Sequence, residues 1–447
     1  MPSTRFSPAQ YSHVKHPQWS RDAAIYQVNT RHFSAEGDFK GVQRDLPRIK
    51  SLGVDIIWLM PIHPIGEVAR KGTLGSPYAV KDYLAINPEF GSHEDLHSLI
   101  AAVHDLDMKV IIDWVANHSA WDNPLTQSHP QWYARNHRGE FRPSPWWDWS
   151  DIIEFDYSHA DLREYMIEAM CYWVDEFDID GFRCDVAGYV PNDFWRQART
   201  ELEKLKPVFM LAEWEARDMH EYAFDMTYAW SWNEIMHGIA HGKLSLDKLR
   251  KYYSWNERAW PKQAYRMTFV SNNDKNAWDG TQFEQFGDCL DNAIVLSSLG
   301  EGMPLIHNGQ EAGESKRLQF FECDPIEWQA HYIGDLYRQL LDLRKRFTAL
   351  HNGEFGATML QVNTDHADKV FAFVRRNGEH AVLVILNFTD MMLKVEMQAD
   401  LIAGDWQEQF LLSATHQSGA GQLCKIDQPM SLDAWKARVF IQQTPWV

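Results

Sequence analysis

The chain repeats a strand–helix–strand pattern, which is clearest in DIIWLMP (55–61), EDLHSLIAAVHDLD (94–107) and KVIIDWV (109–115). The two outer runs are short and apolar, as buried strands are, whereas the middle run places Leu96, Ile100 and Val103 near helical spacing. A strand, a helix and a second strand in this order are typical of a parallel βαβ unit.

Similar apolar runs recur over the first two thirds of the chain. They are AAIYQVN (23–29), GFRCDVA (181–187), VFMLAE (208–213), AFDMTY (223–228), RMTFVSN (266–272) and PLIHNGQ (304–310). About eight runs of this kind predict an α/β fold with a (β/α)8 TIM barrel. The main alternative is a doubly wound sheet, but its Gly-rich turn after the first strand is replaced here by TRHFSAEGD (30–38).

Two segments depart from this alternation. Residues 119–158 are irregular, aromatic and rich in proline, which indicates a short domain inserted after the third strand. Beyond residue 352, short alternating runs such as KVFAFVRR and HAVLVILNF predict a C-terminal antiparallel β-sandwich. The predicted domains are therefore a barrel over 1–118 and 159–351, an insertion over 119–158 and a sandwich over 352–447.

The bulk composition disfavours several classes of partner. The 447 residues carry a net charge of −19, which argues against nucleic acid and anionic membranes, since both bind clustered lysine and arginine. The five cysteines form no CxxC pair, so neither a zinc knuckle nor a redox motif is predicted. We find no signal-peptide pattern and no run of about 18 apolar residues, and we expect a cytoplasmic protein of undefined oligomeric state.

Charged side chains gather where the predicted strands end. They are Asp113 after the third strand, Arg183 and Asp185 on the fourth, Glu213 after the fifth, and Asp274 after the seventh. Alternation within GFRCDVA puts Arg183 and Asp185 on one face, and an arginine beside an aspartate keeps that carboxylate ionised. Because barrel enzymes carry their catalytic groups at these strand ends, the set is the candidate active site.

Asp185 and Glu213 have the chemistry that glycoside cleavage requires. Retaining glycosidases pair an ionised nucleophile with a protonated acid about 5–5.5 Å away, and adjacent strands lie about 4.8 Å apart. Glu213 follows an apolar strand, so partial burial is expected to raise its pKa and suit it as the acid. Glu215 is a rival for this role, but it lies beyond the strand end. Asp274 would add negative potential near a cationic transition state.

Four ordered segments resemble the signature regions of the alpha-amylase family of glycoside hydrolases. They are DWVANH (113–118), GFRCDVAGY (181–189), LAEWE (211–215) and FVSNND (269–274). SPYAVKDYLAINPEFG (76–91) and GMPLIHNGQE (302–311) are similar to the family segments after strand 2 and at strand 8. The resemblance covers nearly the whole chain and implies that 119–158 is a short domain B.

The resemblance also implies roles for the matching residues. Asp185 matches the nucleophile, Glu213 the general acid/base and Asp274 the transition-state stabiliser. The matches with a binding or positioning role are Arg183 beside the nucleophile, Asp113 behind that arginine, His118 and Tyr78 at the sugar of the cleavage subsite, and Trp214 and Asn273 as further substrate-binding residues. The implied activity is hydrolysis of alpha-glucosidic bonds in alpha-glucans or maltooligosaccharides, with retention, through a covalent glycosyl-enzyme intermediate.

This sequence departs from the family pattern at two places. Asn273 replaces the histidine that usually precedes the last aspartate, and Gly188 and Tyr189 replace the Lys-His pair of many endo-acting amylases. Asn273 can still donate to a sugar hydroxyl but cannot carry charge, so the first departure bears on affinity and not on the chemistry. The second departure weakens the case for a typical long-chain endo-amylase and leaves room for an enzyme of maltooligosaccharides, a cyclodextrin-type hydrolase or a glucan transferase.

Other functions and metals are less well supported by the sequence. A transglycosylase would use the same carboxylates, whereas a non-catalytic carbohydrate-binding scaffold is disfavoured because all three are present. No cofactor is expected to be required. Asn117 matches a frequent calcium position of the family, with Asp148 and Asp151 as candidate donors, but calcium needs about 6–8 oxygen ligands and a short domain B offers few. His93 is expected to be an ordinary surface or packed histidine without a functional role.

Overall fold

The computed structural model describes residues 10–378, 380–409, 423–426 and 428–442. In chain order its strands are β1 (Ile25–Val28), β2 (Ile56–Leu59), β3 (Lys109–Trp114), β4 (His118–Ala120), β5 (Ile152–Glu154), β6 (Gly181–Cys184), β7 (Phe209–Ala212), β8 (Met226–Tyr228), β9 (Tyr265–Phe269), β10 (Met303–His307), β11 (Met359–Gln361), β12 (Val370–Asn377), β13 (His380–Asn387), β14 (Leu393–Val395), β15 (Asp405–Gln409), β16 (Leu423–Lys425), β17 (Met430–Leu432) and β18 (Ala437–Gln442). Its α-helices are α1 (Thr30–Phe33), α2 (Phe39–Ser51), α3 (His93–Asp105), α4 (Leu125–Ser128), α5 (Ala160–Phe177), α6 (Asn192–Leu202), α7 (Trp230–Ala240), α8 (Leu246–Ala259), α9 (Gln282–Phe286), α10 (Leu290–Leu299) and α11 (Tyr332–Arg346).

Eight parallel strands close into a barrel. Around the barrel their order is β1, β2, β3, β6, β7, β8, β9 and β10, and β10 pairs with β1 again. Each of the eight apolar runs found in the sequence overlaps one of these strands, and β9 and β10 begin one residue before their runs. The predicted (β/α)8 barrel is therefore confirmed.

Two layers of apolar side chains hold the barrel together. Inward residues such as Trp58, Phe209 and Met267 fill its interior, while Phe182 and Cys184 face outward into the layer beneath the helices. Burial of each large apolar side chain contributes about 1.5–3 kcal/mol. This alternation on β6 leaves Arg183, which is fully buried, on the inner face.

Glycine at the start of β6 permits close strand packing. A Cβ at Gly181 would lie 1.9 Å from the backbone oxygen of Phe209 on β7, and its φ of +151° also disfavours other residues. The tight approach sets the register in which Gly181 pairs with Phe209 and Cys184 with Ala212.

The segment between β3 and β6 carries a small antiparallel pair, in which β4 pairs with β5. The Trp121 indole closes this segment by donating to the backbone oxygen of Ser150 at 2.9 Å. β4 begins at His118, so the last residue assigned to the barrel from sequence starts the inserted sheet.

The C-terminal part is antiparallel, as predicted. Six strands form one sheet in the order β11, β12, β13, β18, β15 and β16, and β14 pairs with β17 in a second sheet. Leu383, Trp406 and Phe440 are buried in its core. Asn292 of α10 joins it to the barrel by donating to the backbone oxygen of Asn387 at 2.7 Å. No helix among the described residues is long and apolar enough to span a membrane.

Candidate active site

The barrel register brings the two carboxylates proposed from the sequence together. Cys184 at the end of β6 pairs with Ala212 at the end of β7, and the backbone N–H of Glu213 donates to the oxygen of Cys184 at 3.0 Å. Asp185 and Glu213 follow these paired residues directly. Both side chains line the same cavity.

Arg183 connects the carboxylates from below the cavity. Its Nη1 donates to Oδ1 of Asp185 and to Oδ1 of Asp113, each at 2.8 Å, and its Nη2 lies 2.9 Å from Oε2 of Glu213. Its Nε donates to the Tyr228 hydroxyl at 3.2 Å. A guanidinium with several fixed donors is suited to holding several oxygens in one geometry.

Asp113 is buried beneath the cavity rather than on its wall. Its side chain is fully shielded from solvent, and its Oδ2 accepts from the Trp58 indole at 3.1 Å and from the Tyr78 hydroxyl at 3.3 Å. Asp113 and Arg183 are absent from the described residues that line the cavity. They are placed to orient the groups above them.

Two groups hold Oε2 of Glu213. It lies 2.9 Å from Nη2 of Arg183 and accepts from the backbone N–H of Val186 at 2.7 Å, which leaves Oε1 as the oxygen that can carry a proton. Val186 has a φ of +35°, an unfavourable conformation for a β-branched residue. Strain of this kind is concentrated at functional sites, and here it accompanies an N–H that points at Glu213.

The site contains more carboxyl groups than cations. Burial raises the pKa of Asp113, Asp185, Glu213 and Asp274 each to about 7, and Arg183 opposes that rise. Near neutral pH the cluster therefore holds protonated and ionised carboxyls together, as an acid and a nucleophile require. Asp185 is the better candidate for the ionised member, because its Oδ1 accepts a charged hydrogen bond while its Oδ2 faces His118.

His118 and Tyr78 both line the cavity. Burial lowers the pKa of His118 to about 4, so the imidazole is neutral near pH 7. Its Nε2 lies 4.0 Å from Oδ2 of Asp185, too far for a hydrogen bond. The Tyr78 ring is stacked with that of Phe320, with 6.2 Å between ring centroids.

Asn273 is oriented toward protein groups. Its Nδ2 donates to Oδ1 of Asp274 at 3.1 Å and to the Tyr78 hydroxyl at 3.3 Å, while its Oδ1 accepts from Gln27 at 2.6 Å. Asn273 is only 5% exposed and is not among the described residues of the cavity wall. In this geometry the amide positions Tyr78 and Asp274.

The cavity has a volume of about 580 Å³ and aromatic walls. Two aromatic groups contribute to its lining, namely Trp147 with Trp149, whose rings are stacked at 5.8 Å, and Trp278 with Phe320 and Phe321. Trp278 lies on a short π-helix, Lys275–Asp279, an element frequent at functional sites.

Lys71 connects the loop after β2 to the inserted segment. Its Nζ lies 3.4 Å from Oδ1 of Asp148 and 3.8 Å from Oδ1 of Asp151, and it donates to the backbone oxygen of Asp148. Asn117 lies elsewhere in the network, where its Nδ2 contacts Nδ1 of His118 at 3.1 Å. Asp148 and Asp151 thus face an ammonium group, and the amide nitrogen of Asn117 faces His118.

Trp214 packs against the segment in which this sequence departs from the family. A Cβ at Gly188 would lie 2.1 Å from the Trp214 ring, so glycine is needed for the ring to sit there. Tyr189 lies edge-on to Trp214 at 5.3 Å, and its hydroxyl accepts from the Trp147 indole at 3.1 Å. Trp214 is not among the described residues that line the cavity.

Glu215, the alternative candidate for the general acid, makes its contacts outside the cavity. Its carboxylate pairs with Arg266 and accepts from the backbone and hydroxyl of Ser231 at 2.9 and 2.8 Å. These contacts separate it from the cavity that contains Glu213.

Sequence reasoning missed Gln27, Tyr228, Lys71 and Trp278. Gln27 and Tyr228 were detectable in principle, since each is a polar group inside an apolar strand run and must bond within the barrel. Lys71 and Trp278 lie in loops, whose side-chain partners no local pattern specifies.

Comparison with known families agrees with this arrangement. A family profile described as "Alpha amylase, catalytic domain" matches residues 8–330, and one described as "Alpha amylase, C-terminal all-beta domain" matches residues 361–433.

Individual relatives give the same result. A noncanonic maltogenic alpha-amylase, AmyB from Thermotoga neapolitana, is 31% identical with a TM-score of 0.81, over 95% of this chain and 98% of that one. An alpha-amylase from Lactobacillus plantarum is 29% identical with a TM-score of 0.83, over 95% of this chain and 99% of that one. Alpha-amylase MalA from Haloarcula japonica is 27% identical over 88% of this chain, which spans only 60% of that relative's length. The chain belongs to the alpha-amylase family of glycoside hydrolases.

Proposed function

We propose that the protein is a retaining hydrolase of alpha-glucosidic bonds in maltooligosaccharides. The observation that carries this proposal is the shared contact of Arg183 with Asp185 and Glu213 on adjacent strands, in one aromatic cavity. A nucleophile and an acid held side by side fit double displacement, whereas inversion needs the two carboxyls further apart to admit a water.

In the first step, Oδ2 of Asp185 attacks the anomeric carbon while Oε1 of Glu213 donates its proton to the glycosidic oxygen. The glycosidic bond breaks, an ester bond to Asp185 forms, and the leaving sugar departs with the proton. In the second step, ionised Glu213 takes a proton from water, which attacks the same carbon and releases Asp185. Asp274 stabilises the positive charge that develops on the sugar in both transition states.

The neighbouring residues bind the sugar or hold the reacting groups. His118 and Tyr78 contact the sugar at the cleavage subsite, the neutral imidazole through a hydrogen bond and the tyrosine ring by stacking. Arg183 and Asp113 position the nucleophile and the acid from below. Asn273 positions Asp274, and Trp214 supports the wall beside the acid.

The walls of the cavity favour short substrates. Trp147, Trp149 and Trp278 line the cavity, and the Lys71 contacts hold the inserted segment against the barrel. A volume of about 580 Å³ is within the range of pockets that hold compact ligands. The relatives include a maltogenic alpha-amylase, which supports the same substrate class.

We also propose that the reaction needs no calcium. Asp148 and Asp151 face the ammonium of Lys71, and the Asn117 amide contacts His118. This set does not offer the six to eight oxygens, roughly, that calcium takes.

A transglycosylase at the same site is the second candidate. Trp147 and Tyr189 are 57% and 44% exposed and are joined by a hydrogen bond at the rim. An exposed aromatic pair beside the acid could hold an acceptor sugar in place of water.

The decisive experiment is digestion of maltoheptaose, with NMR of the freshly formed reducing ends, for the wild type and Asp185→Asn. We expect alpha-configured ends that are absent from the variant, with longer products appearing on adding maltose if transfer competes. Beta-configured first products would contradict the proposal, as would equal activity of the variant.

A further inference from the structure

The sequence HEDLH (93–97) opens α3 and places two histidines one helical turn apart. His93 and His97 therefore lie on the same face of the helix, with 4.7 Å between their ring centroids. A histidine pair at positions i and i+4 is the arrangement through which helices bind zinc. The sequence analysis predicted that His93 is an ordinary surface or packed histidine.

The fold supplies that third ligand from α5. Oε1 of Glu176 lies 3.3 Å from Nε2 of His93 and 3.6 Å from Nε2 of His97. The three ligand atoms all lie within 4.8 Å of one another, in the only such group of at least three His, Cys, Asp or Glu side chains among the described residues. The residues come from segments about 80 positions apart in the sequence.

These spacings fit a tetrahedral zinc ion. Zinc binds histidine nitrogen and carboxylate oxygen at about 2.0–2.2 Å, which in a tetrahedron separates neighbouring ligand atoms by about 3.3–3.5 Å. Two of the spacings are already at or near that value. The third, between the two histidine nitrogens, is at most 4.8 Å.

The site is held in place yet open to solvent. Both imidazoles pack against the buried Phe177 ring, with centroid distances of 4.6 Å for His93 and 4.4 Å for His97. The side chains of His93, His97 and Glu176 are 44%, 42% and 45% exposed, so water can complete the coordination. Packing on one side therefore limits the rotamers, and exposure on the other admits the metal.

We propose that His93, His97 and Glu176 form a structural zinc site that joins α3 to α5. None of the three is among the described residues of the catalytic cavity, so the bound ion is expected to stabilise the fold without entering the reaction. The pattern HExxH also occurs in zinc peptidases, but here its two histidines are partly exposed and lie outside the described lining of the catalytic cavity. The proposal is independent of the glycosidase assignment.

The test is calorimetric titration of EDTA-stripped, dialysed protein with zinc chloride. Variants His97→Ala, His93→Ala/His97→Ala and Glu176→Gln remove ligands from partly exposed positions, and circular dichroism checks their folding. His241→Ala is the matched control, because His237 on α7 and His241 at its C-cap form a second i, i+4 pair that has no third His, Cys, Asp or Glu ligand atom within 4.8 Å among the described residues.

We expect the wild type and the His241→Ala variant to bind one zinc ion per chain tightly and to melt at a higher temperature when zinc is present. The double-histidine variant should lose both the zinc binding and the stabilisation. Cobalt(II) should give the strong visible absorption of a four-coordinate ion, absent from the double variant. The proposal is overturned if the wild type binds no zinc, or if the folded double variant keeps wild-type stoichiometry and affinity. Maltooligosaccharide turnover should be the same with and without zinc, and this readout separates the proposal from the assigned activity.

Discussion

Nη2 of Arg183 lies 2.9 Å from Oε2 of Glu213, although Nη1 of the same guanidinium already holds Asp185. One buried cation thus fixes the positions of both reacting carboxyls. Because a single positive charge cannot balance four buried carboxyls, proton sharing within the cluster is built into the site. The following predictions test parts of this arrangement.

The loss of activity when the acid Glu213 is replaced should depend on the leaving group of the substrate. Glu213→Gln is expected to lower kcat/KM for maltotriose by about 10²–10⁴-fold, because the departing sugar needs a proton. The loss should be much smaller for alpha-glucosyl fluoride, since fluoride leaves without one. Steady-state kinetics with both substrates measures the difference, and Glu215→Gln is the control. Equal losses on the two substrates would remove Glu213 from the role of acid.

Stability should respond to pH through Asp274. Burial raises its pKa from 3.8 to about 7, so the folded state binds a proton more tightly than the unfolded state. This favours folding below about pH 4, and the benefit is lost as the pH rises through 7. Asp274→Asn should therefore raise the melting temperature more at pH 8 than at pH 5. Asp105→Asn removes an exposed carboxylate on α3 and serves as the control for the loss of one charge. A larger gain for Asp274→Asn at pH 5 than at pH 8 would contradict this prediction.

Gly188 should not tolerate a side chain. A Cβ there would overlap the Trp214 ring beside the acid, so Gly188→Ala should displace the ring, cost about 1–3 kcal/mol of stability and lower kcat/KM. Chemical denaturation and kinetics measure both effects. Gly378→Ala is the comparison, because a Cβ there meets nothing within 4 Å. Wild-type activity in Gly188→Ala would show that Trp214 placement is unimportant.

Trp147 should contribute to binding rather than to chemistry. Its ring faces the cavity, and a stacking contact of this kind is worth about 1 kcal/mol, or roughly fivefold in KM. We therefore expect Trp147→Ala to raise KM for maltotriose with little change in kcat. Trp255→Ala, at an exposed position on α8, should behave like the wild type. A fall in kcat alone would instead place Trp147 in the chemical step.

Calcium removal should not affect turnover. The ammonium of Lys71 already lies beside Asp148 and Asp151, so EGTA is expected to leave initial rates on maltoheptaose unchanged. Rates that fall with EGTA and return with added calcium would show that a calcium site was overlooked.

The sequence was most informative where local pattern and topology coincide. The eight apolar runs predicted the barrel strands. Alternation in GFRCDVA placed Arg183 inside, because a shift of one residue would turn Arg183 and Asp185 into the apolar layer beneath the helices. The order of the strands then implied that Asp185 and Glu213 would be neighbours.

Contacts between distant loops were not predictable in this way. Asn273 was expected to bind substrate, but Gln27 from another strand and Tyr78 from a loop determine where its amide points. The pairing of Lys71 with the inserted segment, and of His93 and His97 with Glu176, likewise depends on how separate segments pack. Such packing is a property of the assembled fold, which local periodicity does not encode.

The most direct test of the central claim is to trap the intermediate. Glu213→Gln is incubated with 5-fluoro-alpha-glucosyl fluoride, whose ring fluorine slows release of the ester, and the peptides are mapped by mass spectrometry. The account predicts one glycosyl adduct, carried by the peptide at Asp185. An adduct on Asp274 or on another carboxylate would contradict it.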